Sequence, residues 1–86
     1  MYLHVGQDTM VATDAIVAIL SKDLLDTSKD VRELYARQRS EGKVEGNLAD
    51  AKSLVITSRG IILSGISAYT LMHRAERLDE QFEERG

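Results

Sequence analysis

The chain is 86 residues long, contains no cysteine and carries a formal net charge of −3. This length provides one domain and leaves no room for a second core. The lack of cysteine excludes disulfides, a thiolate nucleophile and zinc–thiolate sites, and the acidic balance argues against a protein that coats nucleic acid by bulk charge.

The apolar runs are short, and the first residues do not combine a basic region with a long apolar core. A membrane-spanning helix needs about 20 apolar residues, and a secretory leader needs both of those features. We therefore expect a cytoplasmic protein that does not insert into a membrane.

The first quarter of the chain predicts three strands. Residues 3–5 form a short apolar segment that Gly6 and two polar residues close. Residues 9–12 and 15–20 are rich in β-branched and apolar side chains, and Thr13-Asp14 between them suits a turn or a bulge. The polar residues 21–26 predict a connection.

Thr27 predicts the start of the first helix, because its hydroxyl can cap free N–H groups and an acidic residue follows three positions later. Val31, Leu34 and Tyr35 then form a narrow apolar stripe at helical spacing. Gly42 predicts the end of this helix.

The next apolar block predicts a β-hairpin followed by a second helix. Residues 53–57 and 61–64 flank Ser58-Arg59-Gly60, which predicts a three-residue turn with glycine at the position of positive φ. Ser67 is the predicted cap of the second helix. The apolar face of that helix is predicted at Ala68, Leu71, Met72, Ala75, Leu78 and Phe82.

The predicted order is βββαββα, a small single α+β domain with a twisted, mostly antiparallel sheet or mini-barrel and two helices. The strands 53–57 and 61–64 are nearly apolar on both faces. Helices cover one face, so the second face is buried either in a mini-barrel or against another subunit. We favour a homo-oligomer, with candidate interface residues Ile16, Val17, Val55, Ile61 and Ile62.

The residue patterns predict a protein that is not an enzyme and holds no metal or cofactor. His4 and His73 have no partner ligand at metal-binding spacing, and the serines and threonines lie outside any nucleophile motif. His4 is interpreted as a strand residue and His73 as an exposed or interfacial one. The acidic residues 79–84 are interpreted as a solvated helix end.

Positive charge is concentrated in the middle of the chain, where residues 27–60 hold seven basic and five acidic residues. Arg59 lies in a tight turn and Lys52 directly precedes a strand. Cations on loops beside a rigid sheet can contact phosphates in a fixed register, so both are leading candidates for DNA contacts. Lys43 and Arg37 are further candidates. For the basic residues of the first helix, a solvated face is the alternative interpretation.

Three segments, in their order and spacing, resemble the RemA/RemB-like extracellular matrix regulatory proteins of Firmicutes. They are YLHVGQDTMVATDAIVAIL at residues 2–20, SLVITSRGIILSGIS at residues 53–67 and TLMHRAERL at residues 70–78. The YLHVG opening and Lys52-Ser53 before the strand are closer to the RemB branch.

The resemblance implies a fold likened to LytTR-type DNA-binding domains, protomers assembled into rings, and DNA binding that activates biofilm-matrix genes. In the RemA branch it implies DNA-contacting arginines just before the third strand and in the loop before the central strand pair. Here those places read Thr13-Asp14-Ala15 and, at residues 48–52, LADAK. Lys52 is the cation at a matching position.

We therefore expect a ring-forming transcriptional regulator of matrix genes that binds DNA by repeated weak phosphate contacts. The alternative is an interaction protein that assembles with itself or with a RemA-like paralogue and does not bind DNA. The missing arginines favour the alternative, and the family resemblance favours the regulator.

Overall fold

The fold is seen in a computed structural model that describes residues 1–6 and 8–85, with side chains described as far as Leu78. The strands are β1 (Tyr2–His4), β2 (Met10–Ala12), β3 (Ile16–Ser21), β4 (Val44–Glu45), β5 (Ser53–Thr57) and β6 (Gly60–Ser64). The helices are α1 (Leu24–Thr27), α2 (Lys29–Ser40) and α3 (Ala68–Arg85), with 3-10 turns at Thr13–Ala15 and Leu48–Asp50.

The described strands form two sheets. β1 and β2 pair as an antiparallel hairpin. The other four form an open sheet in the order β3–β5–β6–β4, in which β3, β5 and β6 are antiparallel and β4 runs parallel to β6. The predicted α+β class and mostly antiparallel sheet are confirmed. The mini-barrel is wrong, because β3 and β4 are opposite edges that do not pair with each other.

The central pair β5–β6 has one core on each face, because side chains alternate across a sheet. Val55 and its partner Ile62 face a core completed by the β1–β2 hairpin and by Leu71 of α3. Leu54 and Leu63 face the opposite core, to which α1 and α2 contribute apolar side chains. The second apolar face of the pair is thus covered within the same chain.

Because both faces of the strand pair are covered by the same chain, some of the predicted interface residues are buried. Val55 and Ile61 are 0% and 1% exposed, so in this fold they present no surface to a second copy. Ile16 and Ile62 are half-buried against the first core, and Val17 is 71% exposed. Of the five predicted interface residues, Ile16, Val17 and Ile62 therefore keep some exposed surface, and Val17 has the most.

The described residues form three α-helices where two were predicted, because the connection 21–26 contributes to the short helix α1. Thr27 is the last residue of α1, and its hydroxyl donates to the carbonyl of Asp23. The cap of α2 is Ser28, whose hydroxyl accepts the N–H of Val31 at 3.3 Å. The predicted start at Thr27 is therefore wrong by one residue.

The end of α2 is confirmed at Gly42, which has a φ of 73°. The N–H of Gly42 donates to the carbonyl of Arg39, and the N–H of Lys43 donates to that of Gln38. This pair of hydrogen bonds is the Schellman motif. It turns the chain directly into β4, a two-residue strand that the sequence pattern did not predict.

The predicted cap of α3 is confirmed, since the Ser67 hydroxyl accepts the N–H of Thr70 at 3.2 Å. Leu71 is fully buried, and Ala75 and Leu78 pack against the first core. Met72 is 45% exposed and only partly belongs to the predicted apolar face. Ala68 is half-buried, and the side chain of Phe82 lies outside the described residues. None of the described helices is long and apolar enough to cross a membrane.

The turn between β5 and β6 contains two residues, Ser58 and Arg59, because Gly60 already pairs with Thr57. The predicted three-residue turn is wrong by one residue, whereas the positive φ at Gly60 is confirmed at 146°. A Cβ at Gly60 would overlap the carbonyl oxygen of Lys43. That oxygen accepts the N–H of Ile61 at 2.9 Å, so glycine is what lets β4 pair with β6.

Replacing Gly60 tests this constraint. We expect Gly60→Ala to lower the free energy of unfolding by about 2 kcal/mol or more, because the backbone is strained and β4 is displaced. Chemical denaturation measures the loss. Gly65→Ala is the matched control, since a Cβ there would lie an ordinary 3.6 Å from its nearest neighbour. Equal stability of the two variants would contradict the assignment.

Candidate nucleic-acid interface

The four predicted DNA-contacting cations lie at opposite ends of the central strand. Lys52 immediately precedes β5, and Arg59 follows its other end. A strand of five residues spans about 17 Å. Lys43 lies at the Arg59 end, because its carbonyl bonds to Ile61, and Arg37 is in the last turn of α2, which leads to Lys43. The structure brings Lys43 and Arg59 to the same end of the sheet, with Arg37 in the adjoining last turn of α2, and leaves Lys52 at the opposite end.

The end of α2 and the β5–β6 turn enclose a cavity of about 170 Å³. Gln38 of α2, Lys43 and Arg59 all line it. Arg37 and Arg39 flank Gln38 in the last turn of the helix. We call this surface the cationic end, and it comprises Arg37, Arg39, Lys43 and Arg59.

The charges of the cationic end are open to solvent. Arg37, Arg39 and Arg59 are exposed and have no acidic partner within 4.0 Å among the side chains that the structure describes. Lys43 lies 4.0 Å from Glu41, a half-exposed pair of little energetic weight. Positive charge in the last turn of a helix is favoured by the helix dipole. The cationic end is therefore free to meet an external anion.

The turn that carries Arg59 is held by three hydrogen bonds. The Thr57 hydroxyl accepts the N–H of Arg59 at 3.1 Å and donates to the carbonyl of Gly60 at 3.0 Å. The N–H of Ser58 donates to the carbonyl of Ala15 at 2.9 Å, which ties the turn to the segment before β3. Arg59 thus projects from a fixed backbone, which reduces the entropy that an anion contact must overcome.

A second, smaller positive site lies at the opposite end of β5. The sequence predicted one of its two lysines, Lys52, and missed the other, Lys22. The carbonyl of Lys52 accepts the N–H of Lys22 at 3.1 Å, so these two lysines are neighbours. Lys22 was missed because the register of β3 on β5 brings it there. Asp50 lies two residues before Lys52 and bonds to the Asn47 amide. A carboxylate beside Lys52 weakens this end as a phosphate site.

The remaining basic residues of the first two helices have structural partners. The Arg32 guanidinium donates to the carbonyls of Leu25 and Asp26 at 3.2 and 3.1 Å, which fastens α1 to α2. Lys29 lies 3.8 Å from Glu33 on an exposed helix face. The solvated-face interpretation therefore fits the start of α2, and the last turn of α2 is the part that meets other cations.

The two histidines make their contacts away from the cationic end. His4 is exposed, and its carbonyl accepts a 3.4 Å hydrogen bond from Arg74. His73 stacks on Tyr69, with ring centroids 6.1 Å apart, and its Nδ1 lies 3.9 Å from Glu76. Within the described residues, no group of three or more His, Asp or Glu side chains is placed to hold a metal ion.

Comparison with known proteins gives two matches. A family model described as "Extracellular matrix regulatory protein A-like" (RemA-like) matches residues 2–75, which include all four residues of the cationic end. The chain is also 31% identical over 80 residues to extracellular matrix regulatory protein B of Bacillus subtilis (strain 168). That match covers 93% of this chain and 96% of the relative.

The hydroxyl of Thr57 is expected to control the mobility of Arg59. Thr57→Val removes the two hydrogen bonds that the hydroxyl makes in the turn, at nearly constant volume, so we expect faster amide hydrogen exchange and a lower heteronuclear NOE at Arg59. Thr57→Ser keeps the hydroxyl and is the control. NMR relaxation of the three proteins makes the comparison, and an unchanged Arg59 amide in the valine variant would show that the turn is rigid for another reason.

Proposed function

This chain belongs to the RemA-like family of extracellular matrix regulatory proteins, and on that premise we propose that it regulates transcription of biofilm-matrix genes by binding DNA through its cationic end. The family membership confirms the resemblance seen in the sequence. Residues 53–67 supply the strand pair and turn that carry Arg59. The proposal places the protein in the cytoplasm, where its DNA is.

The observation that carries this proposal is that Lys43 and Arg59 line one cavity, and that the last turn of α2 beside it adds Arg37 and Arg39. Arg59 is presented by the hydrogen-bonded β5–β6 turn, and Lys43 by the segment that follows α2. Most protein–DNA contacts go to phosphates and fix register. Arginine suits this role, because its planar fork bonds phosphate oxygens in pairs.

Self-assembly into a ring is the second part of the proposal. A few phosphate contacts per subunit bind weakly, and the chain as a whole is acidic. A ring repeats the cationic end and converts later contacts into intramolecular ones, which multiplies affinity without new contacts. Large apolar side chains are exposed on the surface, such as Val17 at 71% and Tyr69 at 76%. Exposed apolar residues of this kind support an interface with another subunit.

Salt-dependent DNA binding tests the proposal. We expect Arg37→Gln and Arg59→Gln each to weaken binding of duplex DNA several-fold at low salt. Each should also reduce the slope of log affinity against log salt by about one unit for every subunit that contacts the DNA, because each substitution removes one phosphate-neutralising charge per subunit. Fluorescence anisotropy at several salt concentrations measures both effects. Lys29→Gln is the control, because this lysine lies at the other end of α2 and pairs with Glu33.

The outcome that overturns the proposal is no binding of DNA at low salt by the wild-type protein. The alternative is then an interaction protein that assembles with a RemA-like paralogue, and Asp50 beside Lys52 supports it. Purification of a mixed assembly that binds DNA when this chain alone does not would favour that alternative. Loss of binding with Lys52→Gln and not with Arg59→Gln would move the contact to the opposite end of β5.

A further inference from the structure

A second cavity opens beside the cationic end. It has a volume of about 620 Å³ and is bordered by the β1–β2 hairpin, by β4 and by the β5–β6 turn. Ligand pockets of proteins commonly measure about 300–1,000 Å³, so this one has room for a small organic molecule. Lys43 and Arg59 line both this cavity and the smaller one at the end of α2. We call it the larger cavity.

Backbone hydrogen bonds bring the hairpin to the β5–β6 turn. Tyr2 pairs with Ala12, the last residue of β2, and the 3-10 turn Thr13–Ala15 follows directly. The carbonyl of Ala15 then accepts the N–H of Ser58 at 2.9 Å. Because a 3-10 turn rises about 2 Å per residue, Ala12 is only about 6 Å along the chain from the residue that bonds to Ser58. Tyr2 therefore lies at the end of the hairpin that is nearest to the β5–β6 turn.

Tyr2 is presented on a fixed backbone. The N–H and the hydroxyl of Thr13 both donate to the carbonyl of Met1, at 2.8 and 3.2 Å. The next residue, Leu3, is buried in the first core, whereas Tyr2 is 62% exposed. Met10, 60% exposed, lies diagonally across the hairpin on the same face, where such pairs are about 7–8 Å apart. The hairpin thus offers an aromatic ring and a flexible thioether at the margin of the larger cavity.

Charged residues of the turn and of β4 line the other part of the larger cavity. The backbones of Arg59 and Lys43 lie together at the turn, because the carbonyl of Lys43 accepts the N–H of Ile61 at 2.9 Å. Glu45 lies two residues beyond Lys43, about 7 Å farther from the turn along an extended chain. All three charged residues are exposed. The two cations therefore suit an anion, and the carboxylate is far enough away to contact another part of the same ligand.

We propose that the larger cavity binds a nucleoside phosphate and that this ligand displaces DNA from the cationic end. An aromatic ring such as that of Tyr2 stacks on any nucleobase. Lys43 and Arg59 pair with the phosphate, and Glu45 accepts hydrogen bonds from ribose hydroxyls or an exocyclic amine. Inorganic phosphate leaves the tyrosine and the carboxylate unused, and an apolar ligand leaves the cations unused. A free nucleotide and a nucleotide within a single strand share this chemistry.

The displacement follows from the shared cations, and this half of the inference rests on the proposed function. Lys43 and Arg59 belong to the cationic end, so a ligand phosphate and a DNA phosphate compete for the same two side chains. By linkage, the ligand weakens DNA binding by the same factor by which DNA weakens ligand binding. A small anion can thereby regulate DNA contact without a second conformation of the protein.

Titration with adenosine 5′-monophosphate (AMP) tests the site in the absence of DNA. Two-dimensional NMR follows the backbone amide of each residue. We expect the amide signals of the segments that line the larger cavity, residues 9–12, 42–45 and 57–62, to shift with AMP. Those around Lys52, at the opposite end of β5, should stay in place.

Variants on both sides of the cavity sharpen this test. Tyr2→Ala should weaken AMP binding about fivefold to tenfold, because stacking of the base is lost. Tyr69→Ala is the matched control, since this tyrosine is 76% exposed on α3 and lies outside the cavity lining. Arg59→Gln should weaken AMP binding by a similar factor from the cationic side, and Lys52→Gln is its control.

The components of the nucleotide and a single strand identify the source of the ligand. Adenosine and inorganic phosphate should each bind at least about tenfold more weakly than AMP, because each engages one part of the site. A short single-stranded oligodeoxyadenosine that binds more tightly than AMP, with the same dependence on Tyr2, assigns the site to a nucleotide within a strand. Weaker binding of the oligonucleotide assigns it to a free nucleotide, and both results support the site.

Competition measures the displacement. Fluorescence anisotropy of labelled duplex DNA is followed as AMP is added, with inorganic phosphate at equal ionic strength as the control for screening. We expect AMP to release the DNA at concentrations at which inorganic phosphate has little effect. Tyr2→Ala should require about fivefold to tenfold more AMP for the same release.

The contrary outcomes separate this inference from the proposed function. If AMP shifts no amide of the larger cavity, or if Tyr2→Ala and Arg59→Gln both bind AMP as tightly as wild type, the site is refuted whatever the DNA titration shows. If AMP binds there and wild type binds no duplex DNA, the proposed function fails and the site stands. If both bind and AMP releases no DNA, the displacement is refuted.

Discussion

The strand pair β5–β6 is apolar on both faces, and the rest of the chain is arranged to cover it. Leu54 and Val55 are both 0% exposed, although they point to opposite faces of the sheet. In a domain this small, covering two faces uses every helix and the β1–β2 hairpin, because little apolar surface remains to form a further layer. The cost of this arrangement is that both edges of the sheet, β3 and β4, stay open.

Two buried serines of β5 and β6 bind the segments that cover the first face of the strand pair. Ser53 and Ser64 lie opposite each other on β5 and β6. Their hydroxyls donate to the carbonyls of Ile66 and Val5 at 2.7 and 2.6 Å. A hydroxyl that is buried in an apolar core is costly unless it makes a hydrogen bond. These two serines therefore favour a fold in which the carbonyls of Ile66 and Val5 lie beside them. The position of the hairpin and of the loop before α3 is thereby specified by polar contacts, while apolar burial supplies most of the stability.

Features with a local cause were predictable from the sequence, and features that depend on distant partners were not. Gly42 and Ser67 have local chemistry that determines their role, so the end of α2 and the start of α3 were predicted correctly. β4 was missed, because two residues show no periodicity and the strand exists through its pairing with β6. The sequence showed that residues 53–57 and 61–64 are apolar on both faces. It did not show whether the second face is covered by the same chain or by another subunit. For the same reason, Lys22 beside Lys52 required the register of β3 on β5.

The cationic end overlaps a larger cavity on the same part of the molecule. Lys43 and Arg59 line both the cavity of about 170 Å³ at the end of α2 and an open cavity of about 620 Å³. Tyr2 and Met10 of the β1–β2 hairpin, which are 62% and 60% exposed, also line the larger one. The two surfaces are therefore not independent, because any contact made at the larger cavity would also involve two side chains that the proposed function assigns to DNA.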